Sequence, residues 1–154
     1  MLDRLRDALR AHPLSHGLDE QAFERLIVAG TLIEVPPDSR LITSGTVVDT
    51  TFLVHDGRLD LRLPGVPFGR EAFDSILARE LIGWSWLNGP TTWHFDAVAI
   101  GPATVIALDG AILLTACHSD PAFGFELARR FLAAATRRLE RARLVAVDPY
   151  SGPR

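Results

Sequence analysis

The feature that most constrains the fold is the change in hydrophobic period near Thr31 and again near Asp109. Outside these points, apolar residues recur at helical spacing; between them, short alternating runs are separated by turn residues. Many short strands with no helix between them are typical of an antiparallel sandwich or jelly roll. The sequence therefore predicts a mainly β protein with flanking helices: a double-stranded β-helix, or jelly roll, over Thr31–Leu108, similar to the cupin-like roll.

The helical ends carry start and stop signals. Asp3–Ala11 has one apolar side and ends before a proline, and Asp19 can cap a second helix. Near the other end, Ala111–Ala116 predicts a short helix, and Asp120 followed by proline begins a long helix that runs to about Val145. We expect a single domain over 1–154, with helices over 1–30, the roll over 31–108 and helices over 109–148.

Eight strands are predicted inside the roll, and Asp56-Gly57 is a tight hairpin signal between the third and the fourth. A loop rich in glycine and proline is predicted over Pro64–Arg70. The predicted strands are Thr31–Val35, Arg40–Thr43, Thr51–His55, Arg58–Leu63, Ser75–Arg79, Leu81–Leu87, Trp93–Ile100 and Thr104–Leu108.

Composition narrows the setting and the chemistry. No apolar run approaches the roughly 20 residues that a membrane span needs, and the charged N-terminus is unlike a secretory signal. Cys117 is the single cysteine of the chain, so we expect a buried thiol, with no disulfide and no cysteine-rich zinc site. These features predict a cytoplasmic protein with no membrane contact.

Motifs for catalysis are absent from the sequence. The five histidines are scattered, with no His-x-His pair of the kind that a roll-shaped metalloenzyme needs to bind its metal. A nucleophile elbow, a P-loop and a Gly-x-Gly-x-x-Gly fingerprint are also missing. We therefore expect no enzymatic activity and no metal site, with a cupin-like metalloenzyme as an alternative.

Four segments resemble the cyclic nucleotide-binding domain of the cyclic AMP receptor (Crp/Fnr-like) family, and the order of the predicted elements is similar over nearly the whole chain. Three of them match the family's helix-turn entry, its first hairpin and a strand-turn-strand unit, and the fourth, which is rich in tryptophan, resembles a bacterial subgroup of stand-alone domains. The segments are His12–Leu18, Pro36–Gly45, Phe52–Leu59 and Gly83–Ala97, and Asp120-Pro121 also fits the head of the family's long helix. The resemblance implies a regulatory domain that senses a small molecule.

The resemblance places the family's ligand-binding cassette in the last of these segments, where this chain departs from the family pattern. Trp84 stands where the family has the glutamate that binds the ribose, and Trp93-His94 lies near the position of the arginine that neutralises the cyclic phosphate. Only His94 could supply charge there, so we expect weak or altered nucleotide binding. The candidate pocket residues are Gly83, Trp84, Ser85, Trp86, Trp93, His94, Phe95 and Ala97.

The ligand of this pocket would be a cyclic nucleotide or another small planar molecule. Trp84 and Trp86 are two residues apart, so on a regular strand they share a face and could line the pocket. The alternative is that the tryptophans fill the core of the roll, which would leave a structural interaction module with no room for a ligand.

The long helix predicts a homodimer. A seam of apolar residues steps by three and four, as in a coiled coil, and a second stripe of Phe123, Leu127, Phe131 and Ala134 can cover the roll. The alternative is one wide stripe against the protein's own core. The seam residues are Phe125, Ala128, Leu132, Ala135, Leu139 and Ala142, continuing to Ala146.

Six arginines lie between Arg129 and Arg143. We expect a solvated face, or pairing with acids of a second subunit or another protein partner. The chain ends eleven residues after Arg143, with no helix-turn-helix in that stretch, so direct DNA binding is not expected. The leading interpretation is therefore a non-enzymatic, homodimeric sensing domain.

Overall fold

The structure is a computed structural model that describes residues 1–65 and 72–147. Most of the loop predicted over Pro64–Arg70, and the last residue of the predicted 109–148 region, lie outside the described residues. The described residues form four α-helices: α1 (Leu2–Ala11), α2 (Glu20–Ala29), α3 (Gly110–Ser119) and α4 (Pro121–Val147). They also form eight strands: β1 (Gly30–Val35), β2 (Arg40–Ile42), β3 (Thr50–Asp56), β4 (Arg58–Arg62), β5 (Asp74–Leu77), β6 (Leu81–Ile82), β7 (Asp96–Ala99) and β8 (Ala103–Asp109).

The strands form two four-stranded antiparallel sheets, in the orders β1-β8-β3-β6 and β2-β7-β4-β5. This confirms the predicted antiparallel jelly roll with flanking helices. The hairpin predicted at Asp56-Gly57 is wrong, because β3 and β4 lie in different sheets and do not pair with each other. The tight turn by which the chain crosses between the sheets depends on Gly57, which has φ of +85°. A Cβ at this glycine would lie 2.6 Å from the carbonyl oxygen of Pro102, so no other residue fits without a shift of the backbone.

The central strands of the first sheet are buried on both faces. Neighbouring residues Leu53 and Val54 of β3 are both fully buried, and so are Val105 and Ile106 of β8. Alternation would leave one of each pair in water, but α1 and α2 pack against β8, and α1 also packs against β3. The helices therefore form a second layer over this sheet.

Aspartate side chains cap the N-terminal ends of three helices. The side chain of Asp19 accepts a hydrogen bond from the Ala22 N–H at the start of α2. Asp109 accepts from the N–H groups of Ala111 and Ile112, so α3 begins one residue before the predicted start and continues to Ser119. Asp120 accepts from the Phe123 N–H at the predicted start of α4.

The helix α4 contacts the rest of the molecule in two ways along its length. Its first half buries the predicted second stripe of Phe123, Leu127, Phe131 and Ala134. Beyond Ala134, no side chain of α4 that the structure describes is fully buried. The second half of α4 therefore lacks apolar anchoring to the roll.

Ion pairs join that second half to the β-roll instead. Arg138 Nη2 lies 2.9 Å from Asp74 Oδ2, and Arg141 Nη2 lies 2.6 Å from Glu80 Oε2. The prediction that the arginines form a solvated face or pair with another subunit is wrong for these two residues. Local patterns could not reveal their acidic partners, because Asp74 of β5 and Glu80 of the turn that follows it lie more than sixty residues away in the chain.

Two predicted strands are much shorter than expected. The run from Leu81 leaves the sheet after Ile82 and continues as a 3₁₀ turn over Ser85–Asn88. The run from Trp93 joins the sheet only from Asp96 to Ala99. Both differences lie in the predicted pocket segment. Its apolar residues resemble those of a strand in sequence, but its backbone turns out of the sheet.

A buried histidine connects the N-terminal helices to the roll. His12 is 2% exposed; its Nδ1 accepts a hydrogen bond from the Leu14 N–H, and its Nε2 lies 3.1 Å from the Glu80 carbonyl oxygen. The neutral ring with a proton on Nε2 satisfies both contacts. Burial lowers the pKa of His12 to about 4, because the charged form would lose its hydration.

We predict that this histidine makes the fold sensitive to acid. Below pH 6.5 the unfolded chain binds a proton on His12, whereas the folded protein does not until about pH 4, so the free energy of unfolding falls through that window. Urea unfolding of the wild type and of His12→Gln, at pH 7 and about pH 4.5, checks this. The variant should lose about 2–3 kcal/mol less than the wild type.

The matched control is His118→Gln, because His118 is exposed on α3. It should lose as much stability on acidification as the wild type. Equal losses in His12→Gln and the wild type would contradict the assignment.

Candidate functional site

The backbone turns sharply where β6 ends, at Gly83. This residue has φ of +94°, and a Cβ on it would lie 2.5 Å from the Thr50 carbonyl oxygen and 2.6 Å from a ring carbon of Trp93. Only glycine combines this backbone conformation with such close neighbours. The turn directs the chain into Trp84 and the 3₁₀ turn that follows, away from the sheet.

Trp86 does not share a face with Trp84, so that expectation is wrong. The 3₁₀ turn replaces the regular strand on which the two-residue spacing would have aligned them. The indole N–H of Trp86 lies within hydrogen-bond distance of two acceptors, Thr51 Oγ1 at 2.9 Å and the Gly83 carbonyl oxygen at 3.0 Å. Its ring meets Phe131 of α4 edge to face, with centroids 5.9 Å apart. Trp86 thus joins the roll to α4 as part of the core.

A cavity of about 180 Å³ lies on the other side of this turn. Six of the eight predicted pocket residues line it. Trp86 does not, for the reason given above, and Ala97 does not because it is fully buried in β7. The lining residues are Val48, Ile82, Gly83, Trp84, Ser85, Thr92, Trp93, His94, Phe95 and Arg138.

Aromatic rings form much of the cavity wall. Trp93 and Phe95 meet edge to face with ring centroids 5.7 Å apart, and the ring centroid of Phe52 lies 6.3 Å from that of Trp93. Trp84 is half-buried and His94 is exposed. Within the described part of the chain, neither Trp84 nor Trp93 donates its indole N–H to a hydrogen bond. Such a wall suits a flat, partly polar molecule.

The cavity also contains a charged group that sequence reasoning missed. Arg138 reaches it from α4, so the expectation that only His94 could supply charge there is wrong. The two segments are more than forty residues apart, and no local pattern links an arginine on a helix to a pocket in the roll. The only signal was its place in the arginine group of α4.

The described residues contain no cluster of three or more metal-ligating side chains. Cys117 is buried, and burial raises the pKa of its thiol. Among the described residues, no helix is long and apolar enough to cross a membrane.

Solved structures with the same architecture identify the fold. A cyclic nucleotide-binding domain from Methylobacillus flagellatus superposes with a TM-score of 0.74 at 18% identity, covering 91% of this chain and 79% of that one. The cyclic nucleotide-binding domain is the fold of this protein. The N-terminal domain of a transcriptional regulator from Streptomyces coelicolor matches with a TM-score of 0.66 at 25% identity, covering 88% and 94% of the two chains.

The catabolite activator protein of Thermus thermophilus has the same cyclic nucleotide-binding fold over part of its length. It matches with a TM-score of 0.67 at 23% identity, and the alignment covers 90% of this chain and 63% of that protein. No protein-family model matches the chain, and no curated protein matches it in sequence. The likeness therefore defines the fold, and the ligand has to be argued from the cavity.

We predict that Gly83 is essential for the geometry of this cyclic nucleotide-binding fold around the cavity. Gly83→Ala should lose about 1–3 kcal/mol more stability than Gly45→Ala, because overpacking adds to the backbone strain. Gly45 is the matched control: its φ is +88°, and a Cβ there has no neighbour within 4 Å. Urea unfolding of both variants measures the difference, and equal losses would contradict the steric account.

Proposed function

We propose that this protein is a non-enzymatic regulatory domain that binds a small molecule in the roll cavity and transmits binding through α4. The observation that supports the proposal is that the cavity wall combines residues of the roll with Arg138 of α4. A ligand there contacts two parts of the molecule at once. Binding can therefore favour one position of α4 over another.

The second half of α4 is the part of the helix that a bound ligand can move. It is joined to the roll through two ion pairs instead of buried apolar side chains, so a charged ligand can compete for a partner of one of them. Its first half is anchored by buried apolar residues. A ligand that disturbs the Arg138 contact would therefore move the second half while the first stays in place.

Cyclic AMP is expected to bind weakly or not at all. The chain has Trp84 and Trp93-His94 where the resemblance expects the glutamate and the arginine. The cavity of about 180 Å³ is also smaller than the roughly 300–1,000 Å³ of pockets for drug-sized ligands. A ligand that fits this cavity without a movement of α4 away from the roll is therefore smaller than a nucleotide.

Binding can be followed with the indole N–H signals of the three tryptophans. In an NMR screen of metabolite mixtures, a ligand should shift the signals of Trp84 and Trp93, which line the cavity, and leave that of Trp86, which is hydrogen-bonded in the core. Cyclic AMP at micromolar concentration should shift none of them. If no mixture shifts the Trp84 or Trp93 signal, the sensing function is refuted and the structural interaction module is favoured.

Dimerisation through α4 would give the signal a second subunit to act on. Phe125, Leu132 and Leu139 of the seam are 71%, 67% and 52% exposed. They recur at the spacing of a coiled coil, and Ala128 and Ala135 between them are small enough for close approach of a second helix. A two-fold axis buries the whole seam in one contact, because both copies present the same face. The occupant of this face is therefore a second copy of the chain.

We predict that Leu139→Arg weakens the dimer at least a hundredfold, since two guanidinium groups would enter an apolar contact. Sedimentation of the wild type and the variant at micromolar concentration measures this. Val28→Arg is the matched control: Val28 is 70% exposed on α2, away from the seam, and its replacement should leave the dimer intact. A monomeric wild type would contradict the dimer.

A further inference from the structure

Arg138 is the one permanently charged side chain among the described residues that line the roll cavity, and no carboxylate lines it. Its side chain is 18% exposed, so its charge is only partly hydrated. A guanidinium in such a place attracts an anion more strongly than one in open water. The cavity therefore offers an anion one guanidinium, for which the anion competes with Asp74.

The guanidinium of Arg138 has unused hydrogen-bonding capacity. Its Nη2 donates to Asp74 Oδ2 at 2.9 Å, whereas its Nη1 is buried and has no hydrogen-bond partner within the described part of the chain. A buried donor without an acceptor costs free energy, so the pairing with Asp74 leaves the guanidinium incompletely satisfied. A carboxylate has two oxygens and can accept from both terminal nitrogens once the guanidinium turns from Asp74 towards the cavity.

The remaining wall limits the shape of the ligand. Trp84, Trp93 and Phe95 present aromatic surface, and a volume of about 180 Å³ admits one or two fused rings but leaves little room for a sugar or a long chain. A planar ring that carries an acidic group satisfies both the aromatic wall and the arginine.

We propose that the cavity binds a small planar carboxylate, with its ring against the aromatic wall and its carboxylate on the guanidinium of Arg138. This inference rests on the proposed sensing function and names the ligand class. The carboxylate replaces Asp74 as the acceptor for Arg138. Since the Arg138–Asp74 pair joins the second half of α4 to the roll, binding weakens that junction directly.

Benzoate and its neutral counterpart benzamide test the charge requirement at constant shape. In titrations followed by tryptophan fluorescence and calorimetry, benzoate should bind the wild type at least tenfold more tightly than benzamide, as expected for a charge-assisted hydrogen bond. Added salt should weaken benzoate binding and leave benzamide binding unchanged.

Three variants locate the anion. Arg138→Gln should remove the preference for benzoate. Asp74→Asn should strengthen benzoate binding several-fold, since it removes the competing carboxylate. Arg141→Gln is the matched control, because it removes the other ion pair between α4 and the roll at a residue that does not line the cavity. It should leave the preference unchanged.

Opposite effects of Arg138→Gln and Asp74→Asn cannot arise from general destabilisation, which would weaken binding in both. Equal affinity for benzoate and benzamide in the wild type overturns the inference, and so does a preference that survives Arg138→Gln. Absence of binding by either probe at millimolar concentration overturns it too. A neutral metabolite that shifts the Trp84 and Trp93 indole signals would support the sensing function while overturning the proposed ligand class.

Discussion

The side chain of Trp86 joins three parts of the structure: β3, the turn after β6 and α4. Its indole N–H reaches Thr51 and the Gly83 carbonyl oxygen, which fixes the turn at the end of β6, and its ring packs against Phe131 of α4. The same residue therefore sets the path of the cavity wall and the position of the helix that closes it. A buried indole N–H without an acceptor would cost free energy. The hydrogen bonds of Trp86 and its packing against Phe131 therefore hold β3, the turn after β6 and α4 in one arrangement.

The helix α4 combines two kinds of attachment that respond differently to a ligand. Leu127, Phe131 and Ala134 are buried among apolar neighbours, and this contact involves no ion pair. Arg138 and Arg141 hold the following turns through ion pairs that a competing anion or added salt can weaken. The boundary near Ala134 is therefore the place where a signal from the cavity would enter the helix. The exposed seam on the opposite face continues across this boundary, so in the proposed dimer a movement there would reach the second subunit.

The fold was predictable from the sequence because its signals are local. The change of period at Thr31 and Asp109, the turn at Gly57 and the capping residues Asp19 and Asp120 each act within a few residues. The site was only partly predictable. Trp84 and Trp86 have the same side chain two positions apart, but the 3₁₀ turn that follows the positive φ of Gly83 leaves only Trp84 on the cavity wall. Arg138 enters the cavity through the docking of a distant helix, which no spacing rule in the chain encodes.

The central claim is that the roll cavity and the second half of α4 are coupled through Arg138. Amide hydrogen exchange along α4, with and without a saturating cavity ligand, tests it most directly. The account predicts faster exchange after binding over residues 135–147 and unchanged exchange over residues 123–134. Only residues 135–147 depend on the Arg138 contact for their attachment to the roll. Exchange that changes in the roll alone, with α4 unaffected along its whole length, would contradict it.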